Sequence, residues 1–258
     1  MKTFFYLLLT LFAPVVCVGQ SDFYLAIYKT DDYPSNAPKD TTKHQNPMVQ
    51  KMQQESNIQI EKSKLVRKNI EFELYFDKTT SLYQQKEVMI PEGEELIYLM
   101  ATIHGGGTPG TKFYKDIQAK VKIKHTESSG KLLNVVYPFE QYKWTITDES
   151  RMINGYKCYK ATATWEIFDY GRDKMLSFNP VVWFTHDVPF PFGPKGLDGL
   201  PGLVVEGTIS GKFYFYLSEL KTLKKDKQKI LKAPTGGEVI DYIEFAKQGG
   251  ADFKNLPR

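Results

Sequence analysis

Apolar and polar residues alternate with a period of two over much of this chain, in short runs separated by turn residues. The clearest case is residues 70–77, where Ile70, Phe72, Leu74 and Phe76 interleave with Glu71, Glu73, Tyr75 and Asp77. That is the pattern of a half-buried strand. Lys78, Thr79 and Thr80 turn the chain, and residues 81–88 read as its hairpin partner. Further strands are expected over residues 21–29, 97–103, 119–124 and 131–137. Others follow over 142–147, from Cys158 to about Trp165, and over 180–185, 208–217 and 219–223. Along 119–124, lysines occupy one face of the alternation and Val121 and Ile123 the other. Turn signals lie between these runs, at residues 104–110, 127–130, 148–150 and 170–174. The pair Asn154-Gly155 can supply the positive-φ corner of a tight hairpin.

Two segments read differently. Residues 48–57 have a helix-compatible composition with a weak apolar face, and residues 237–248 place Val239, Ile240, Ile243, Phe245 and Ala246 as a short amphipathic helix. Residues 30–47 carry Pro34, Pro38 and Pro47 among Asp, Asn, Ser and Thr, the composition of a mobile arm. The succession of short strands predicts a mainly β protein. It is a single antiparallel domain, either a curved open half-barrel or a sandwich, with a short C-terminal helix. The expected organisation is a signal peptide over 1–20, an N-terminal strand and arm over 21–57, a β domain over 58–223, and a basic tail with the helix over 224–258.

Composition adds a compartment. Met1-Lys2 followed by the apolar run 4–12 and a close at Val15 to Gly19 reads as a secretory leader, too short to span a bilayer comfortably. Cleavage is expected near Gly19-Gln20, giving an exported protein of the periplasm or outer envelope with no transmembrane segment in the mature chain. Cys17 is preceded by Pro14, Val15 and Val16, without the small residue that lipidation requires. The mature chain then keeps one cysteine, Cys158, and must be stabilised by packing without an internal disulfide. With 34 Lys and Arg against 30 Asp and Glu, the charge is nearly balanced, which argues against a nucleic-acid binder. Sixteen Tyr and 17 Phe suit both strands and recognition surfaces.

The most unusual stretch is 193–207, GPKGLDGLPGLVVEG, with five glycines and two prolines leading into Leu203-Val204-Val205. It reads as a loop of fixed shape that delivers the chain into a buried strand. Gly199-Leu200-Pro201-Gly202-Leu203-Val204 follows Trp144, Ile153 to Ala161 with Gly155, Tyr156 and Cys158, Val182-Trp183-Phe184-Thr185, Val188-Pro189 and Gly193-Pro194. In order and spacing, over about residues 58–220, this resembles the GLPGLI family of exported Gram-negative envelope proteins. Val204 stands where the family has Ile, and residues 90–115 and the tail beyond 223 depart from the pattern. The resemblance brings no established activity or ligand with it. By fold analogy alone it suggests a curved sheet that cups an apolar ligand.

Candidate chemistry is sparse. His104-Gly105-Gly106-Gly107 matches an esterase oxyanion loop, but the chain has no Gly-x-Ser-x-Gly elbow. Gly207-Thr208-Ile209-Ser210-Gly211-Lys212 has the wrong spacing for a phosphate loop. His186-Asp187, with Asp198 and Glu206 nearby in sequence, falls short of a metal-ligand set, and Cys158 in a strand reads as a packed thiol. The basic run 221–232 reads as a solvated segment. No catalytic residue, metal or cofactor is expected. The leading expectation is a non-enzymatic module that binds an apolar ligand, peptide or envelope protein, with Trp183, Phe184, Phe190, Phe192, Leu200 and Leu203 around the site. The alternatives are a hydrolase or metal-dependent enzyme using His186, Asp187 and Cys158, and a structural accessory of an outer-membrane complex.

Overall fold

The computed structural model describes residues 23–32, 46–103, 108–224 and 230–254. The leader, Cys17, the arm residues 33–45 and the His104 to Gly107 motif lie outside the described residues. The strands are β1 (Phe23–Asp32), β2 (Phe72–Phe76), β3 (Thr80–Gln85), β4 (Lys112–Asp116), β5 (Val121–Ser128), β6 (Lys131–Val136) and β7 (Thr145–Ile153). They continue as β8 (Tyr156–Thr162), β9 (Trp165–Asp169), β10 (Lys174–Phe178), β11 (Val181–Thr185), β12 (Leu203–Thr208), β13 (Phe213–Leu223) and β14 (Glu238–Asp241). Helices are α1 (Pro47–Arg67), α2 (Glu95–Thr102) and α3 (Tyr242–Lys254).

Twelve strands form one sheet in the order β14-β6-β5-β4-β3-β2-β1-β13-β12-β11-β8-β7, and β9 and β10 form a separate hairpin. The end strands β14 and β7 do not pair, so the sheet stays open. The protein is mainly β, and its pairings are antiparallel except that β14 runs parallel to β6. Sequence periodicity sets the hairpins. Ser129-Gly130 and Asn154-Gly155 both take positive φ, and Ser128 faces Lys131 as Ile153 faces Tyr156, the geometry of two-residue turns.

Four elements differ from the sequence reading. Residues 97–103, read as a strand, lie mostly in α2, where Ile97 and Ala101 are buried one helical turn apart. The helix at 48–57 extends to Arg67, because the side chain of Asn46 caps its start and Ser63 and Arg67 are buried at its far end. The proposed division at residue 58 therefore falls inside α1. The turn at 148–150 is an irregularity within β7, where the pairing with β8 shifts between Ile146 and Ser150. Val239 and Ile240 lie in β14, and the C-terminal helix begins at Tyr242.

The strand before the arm is not an appendage. β1 lies between β2 and β13 in the middle of the sheet. Its Ala26 and Tyr28 join Phe72, Leu74, Phe76, Tyr83, Phe192, Leu203 and Leu217 in the largest core. The Tyr28 hydroxyl donates to the Val204 carbonyl over 2.6 Å, which satisfies a buried phenol and ties β1 to β12 across the intervening β13. A second core gathers Ala161, Val182, Phe184, Leu197, Leu200, Val204 and Phe215. The loop between β11 and β12 serves both cores.

That loop folds on itself. Leu203 N–H donates to the Val188 carbonyl, Val204 to Phe192, and Gly199 to Pro191. Two of its glycines, Gly193 and Gly202, are needed for space and not for torsion. A Cβ on Gly202 would lie 1.9 Å from the Thr185 carbonyl oxygen, and one on Gly193 would lie 2.3 Å from the Leu197 carbonyl oxygen. Gly202→Ala is expected to lower unfolding stability by at least about 2 kcal/mol, the scale of overpacking against backbone. Gly211→Ala, in open space at φ +71°, should cost only about 1 kcal/mol from backbone strain. Urea denaturation of the two variants checks the difference in order and size.

Candidate functional site

Of the residues expected to rim an apolar groove, four are buried in the two cores. Phe184 and Leu200 are buried in the second core, while Phe192 and Leu203 are buried in the first. Trp183 and Phe184 are successive strand residues and so point to opposite faces. Trp183 is half-buried, with the Arg151 guanidinium 4.2 Å above its ring, and Arg151 is ion-paired with Glu206. Phe190 packs on Tyr24 and Phe76. This set is mainly core packing.

The motif residues are structural in their observed contacts. Gly155 makes the β7–β8 corner, and Tyr156 packs against the main core. Pro194 is buried and opens a single 3-10 turn after Gly193. Gly199 takes φ +94° beside the Trp144 ring. The Pro201 carbonyl meets His186 Nδ1 at 3.0 Å, so His186 anchors the loop from an exposed position. Gly207 to Lys212 is the end of β12 and the connection into β13.

Cys158 is fully buried, and burial pushes its thiol up to about 11. A thiol held there is a poor nucleophile at neutral pH. Among the described residues, no three His, Cys, Asp or Glu side chains come together as a metal site.

A different cavity, about 160 Å³, opens beneath the glycine-rich loop. Its floor consists of cross-strand rows on β3, β4 and β5. Ser81 faces Lys115, which faces Lys122; in the next row Tyr83 faces Phe113, which faces Lys124. The loop supplies Gly193, Lys195, Gly196 and Asp198 to the walls, and Tyr137, Tyr142 and Ile209 also line them.

Two lysines directly opposite on neighbouring strands repel one another. Here both are buried, and Asp198 enters between them. Lys115 Nζ donates to Asp198 Oδ1 and to the Phe139 carbonyl at 3.1 Å. Lys122 Nζ lies 2.9 Å from Asp198 Oδ2 and donates to the Gly196 carbonyl at 2.7 Å. The Lys122–Oδ2 approach is an ion pair without hydrogen-bond alignment, and Oδ2 has no hydrogen-bond partner among the described residues. Trp144 Nε1 donates to the backbone carbonyl of Asp198 over 2.8 Å and holds the residue in place. Gly196 is needed for this approach, because it takes φ +72° and a Cβ there would lie 3.3 Å from Lys122 Cε.

Among the described residues, Lys115, Lys122, Lys124 and Lys195 thus share the cavity with one carboxylate, that of Asp198. Burial holds Lys122 and Lys124 below the usual lysine range. Lys195 falls to about 8, chiefly through burial and further through the nearby charge of Lys124. Burial raises the Tyr137 hydroxyl to about 12 and Tyr142 higher still, so both are neutral donors at neutral pH. The cavity therefore combines excess positive charge, phenolic donors and aromatic walls.

The sequence reading missed this site. It noted the lysine face of 119–124 but gave that face no role. Lys122 is instead 5% exposed while Ile123 is only half-buried. The available signal was Asp198, the one carboxylate among the glycines and prolines of residues 193–202.

No family model matches the chain, and no curated protein sequence matches it. Two solved structures of PNGF-II, in C2 and P21 space groups, superpose with TM-scores of 0.50 and 0.51 at 12% identity. They cover 89% and 88% of this chain, which spans about a third of their length, 32% and 33%. An uncharacterized conserved protein from Thermus thermophilus matches with a TM-score of 0.34 at 8% identity, over 86% of this chain and 91% of that one. The PNGF-II likeness shows the fold alone.

Two outcomes follow from the site geometry. Asp198→Asn leaves two buried lysines without their counter-charge and is expected to cost about 3–5 kcal/mol in chemical denaturation. The triple replacement Lys115→Met, Lys122→Met, Asp198→Leu should recover most of that loss. Cys158 should resist iodoacetamide at pH 8 in native protein and react in urea, as read by intact mass.

Proposed function

We propose that the chain is an exported, non-enzymatic β module of the GLPGLI type, and that the cavity under its glycine-rich loop binds a small anionic ligand with an apolar or aromatic body. The observation that carries this reading is the charge imbalance of the cavity: Lys115, Lys122, Lys124 and Lys195 line it, with Asp198 as the only carboxylate among the described residues. Buried like charges depress one another's protonation, and an arriving anion relieves that cost. Tyr137, Tyr142, Phe113 and Tyr83 provide flat walls for the remainder of the ligand. The volume suits a molecule with about the bulk of one aromatic ring, since an engineered cavity of roughly this size holds benzene.

This reading keeps the expected class, an envelope binding module, and replaces the apolar ligand with an amphipathic anion. It also moves the site from Trp183 and Phe190 to the opposite end of the same loop. The hydrolase alternative loses its nucleophile with the burial of Cys158.

Lys195 gives the test a pH signature. Its folded-state value of about 8 lies below the ordinary lysine value of 10.5. Between those values the unfolded chain holds the proton and the folded chain does not, so stability rises with pH across that window. Below pH 8 both states are protonated, and this contribution is flat. Tyr137, Tyr142, Lys122, Lys124 and Asp198 also line the cavity, so the wild type is compared with Lys195→Met. Thermal denaturation from pH 7.5 to 9.5 should show a stability rise in the wild type that the variant lacks. At pH 7, 10 mM phosphate should raise the Tm of the wild type by several degrees more than that of the triple variant Lys122→Met, Lys124→Met, Lys195→Met. Equal shifts would count against the anion site.

A further inference from the structure

Another cavity, of about 590 Å³, is lined from α1, α2, the end of β1 and the start of β13. Its volume falls within the roughly 300–1,000 Å³ of small-molecule sites. α1 and α2 pack on one another, yet apolar residues facing this cavity stay bare. Leu99 and Ile103, one helical turn apart, are 36% and 46% exposed, and Ile60 on α1 is 36% exposed. With Met100 and Phe213 they form the apolar part of the lining. Apolar side chains left exposed together, with polar residues at the rim, mark a binding surface.

The polar part gathers around Asp32. Ile60, Ser63, Lys64 and Arg67 share one face of α1, so the lining passes from apolar to basic within two helical turns. Asp32 pairs in register with Phe213. The Arg67 guanidinium donates to Asp32 and lies 4.7 Å from the Phe213 ring centre. Lys64 Nζ is 3.8 Å from Asp32 and 3.0 Å from Glu61, and so is already shared between two carboxylates. Lys212 lines the cavity next to Phe213 and forms no ion pair among the described residues. Arg67 is 5% exposed, and its Nε–H is buried without a hydrogen-bond partner among the described residues. A buried charged donor left unused is costly and calls for an acceptor. Three cations therefore meet one lining carboxylate, and Arg67 and Lys212 keep unused capacity. A Cβ on Gly211 would meet nothing within 4 Å, so the rim beside Lys212 is open.

We propose that this cavity is a second ligand site, which takes a straight-chain fatty acid with its carboxylate at Lys212 and Arg67 and its chain along Ile60, Leu99, Met100 and Ile103. The inference is independent of the anion site under the glycine-rich loop. The ligand class follows from how the lining is divided. Excess positive charge at one end selects an anion, and a carboxylate matches the planar guanidinium. The bare side chains of two helices give the rest of the molecule an apolar run. An alcohol of the same length covers the same apolar surface but leaves the cations unanswered, and an alkylammonium adds a fourth cation.

The test titrates the full chain at pH 7.4 with cis-parinaric acid, whose fluorescence rises in an apolar site. Bound probe is then displaced by laurate or by dodecanol, each below its aggregation concentration. Laurate is expected to bind at least about tenfold more tightly than dodecanol. Lys212→Glu should remove most of that preference and change dodecanol binding by less than about twofold, whereas Ile103→Asp should weaken both by at least about tenfold. Both positions are exposed, and an unchanged Tm checks that the variants fold. The triple variant Lys122→Met, Lys124→Met, Lys195→Met should bind laurate as the wild type does. Absence of displacement, equal binding of laurate and dodecanol, or laurate binding untouched by both single variants would overturn the proposal. Loss of laurate binding in the triple variant assigns laurate to the cavity under the loop and overturns it as well. Binding to phosphatidylglycerol vesicles without binding of laurate makes the bare helices a membrane contact and also removes the fatty-acid site. A phosphate response that fails while laurate still binds removes the anion site alone.

Discussion

The ion pairing of Asp198 with Lys115 and Lys122 is the constraint on which the rest of the site depends. β4 and β5 present two buried lysines side by side, an arrangement that is unstable without an opposing charge. The opposing charge comes from the loop between β11 and β12, which lies at the other end of the strand order. Between β4 and β12 stand β3, β2, β1 and β13. One carboxylate therefore ties two distant parts of an open sheet together. It also sets the height of the loop over β3 and β4, and that height defines the cavity. Glycines 193, 196 and 202 are the clearances that let the loop descend to this depth.

Under the proposed reading, binding and stability draw on the same residues. Burying more positive than negative charge costs folding energy, and the lowered proton affinities of Lys122, Lys124 and Lys195 register that cost. A sequence selected for stability alone has no use for such an excess, since apolar residues of similar volume pack the same space at lower cost. The aromatic residues around the lysines serve both demands. The ring centres of Phe139 and Tyr142 lie 4.2 and 5.1 Å from the ammonium groups of Lys115 and Lys122 and soften their desolvation, and Tyr142 also lines the cavity.

Much of the fold was legible where the local signal and the tertiary environment agree. The alternation at 70–77 becomes β2, and Asn154-Gly155 makes the predicted corner. Leu203 to Val205 enter a core strand directly from the glycine-rich loop. The sequence misled where one pattern serves two structures. Ile97 and Ala101 have helical spacing, but the surrounding apolar density reads equally as a strand. The site was hidden for a sharper reason. Hydropathy assigns lysine to water, and Lys122 is buried only because Asp198, 76 positions later, neutralises it. The apolar rim failed for the converse reason: Phe184, Phe192, Leu200 and Leu203 are large and apolar, and the two cores absorb them.

The central position of β1 carries a consequence for how the chain reaches its native state. Ser218 Oγ donates to the Ile27 carbonyl, joining residues 191 positions apart, and β1 has no other neighbour on that side than β13 among the described residues. Until residues 213–223 have been made and delivered, β1 is the rim of the β1-to-β6 run and keeps an open hydrogen-bonding edge, with the apolar side chains of Phe23, Leu25 and Ile27 beside it. Closing so long a loop is entropically slow, and this edge is covered only when the last third of the polypeptide is in place. The partly made chain therefore carries an unpaired strand edge of the kind that invites edge-to-edge association.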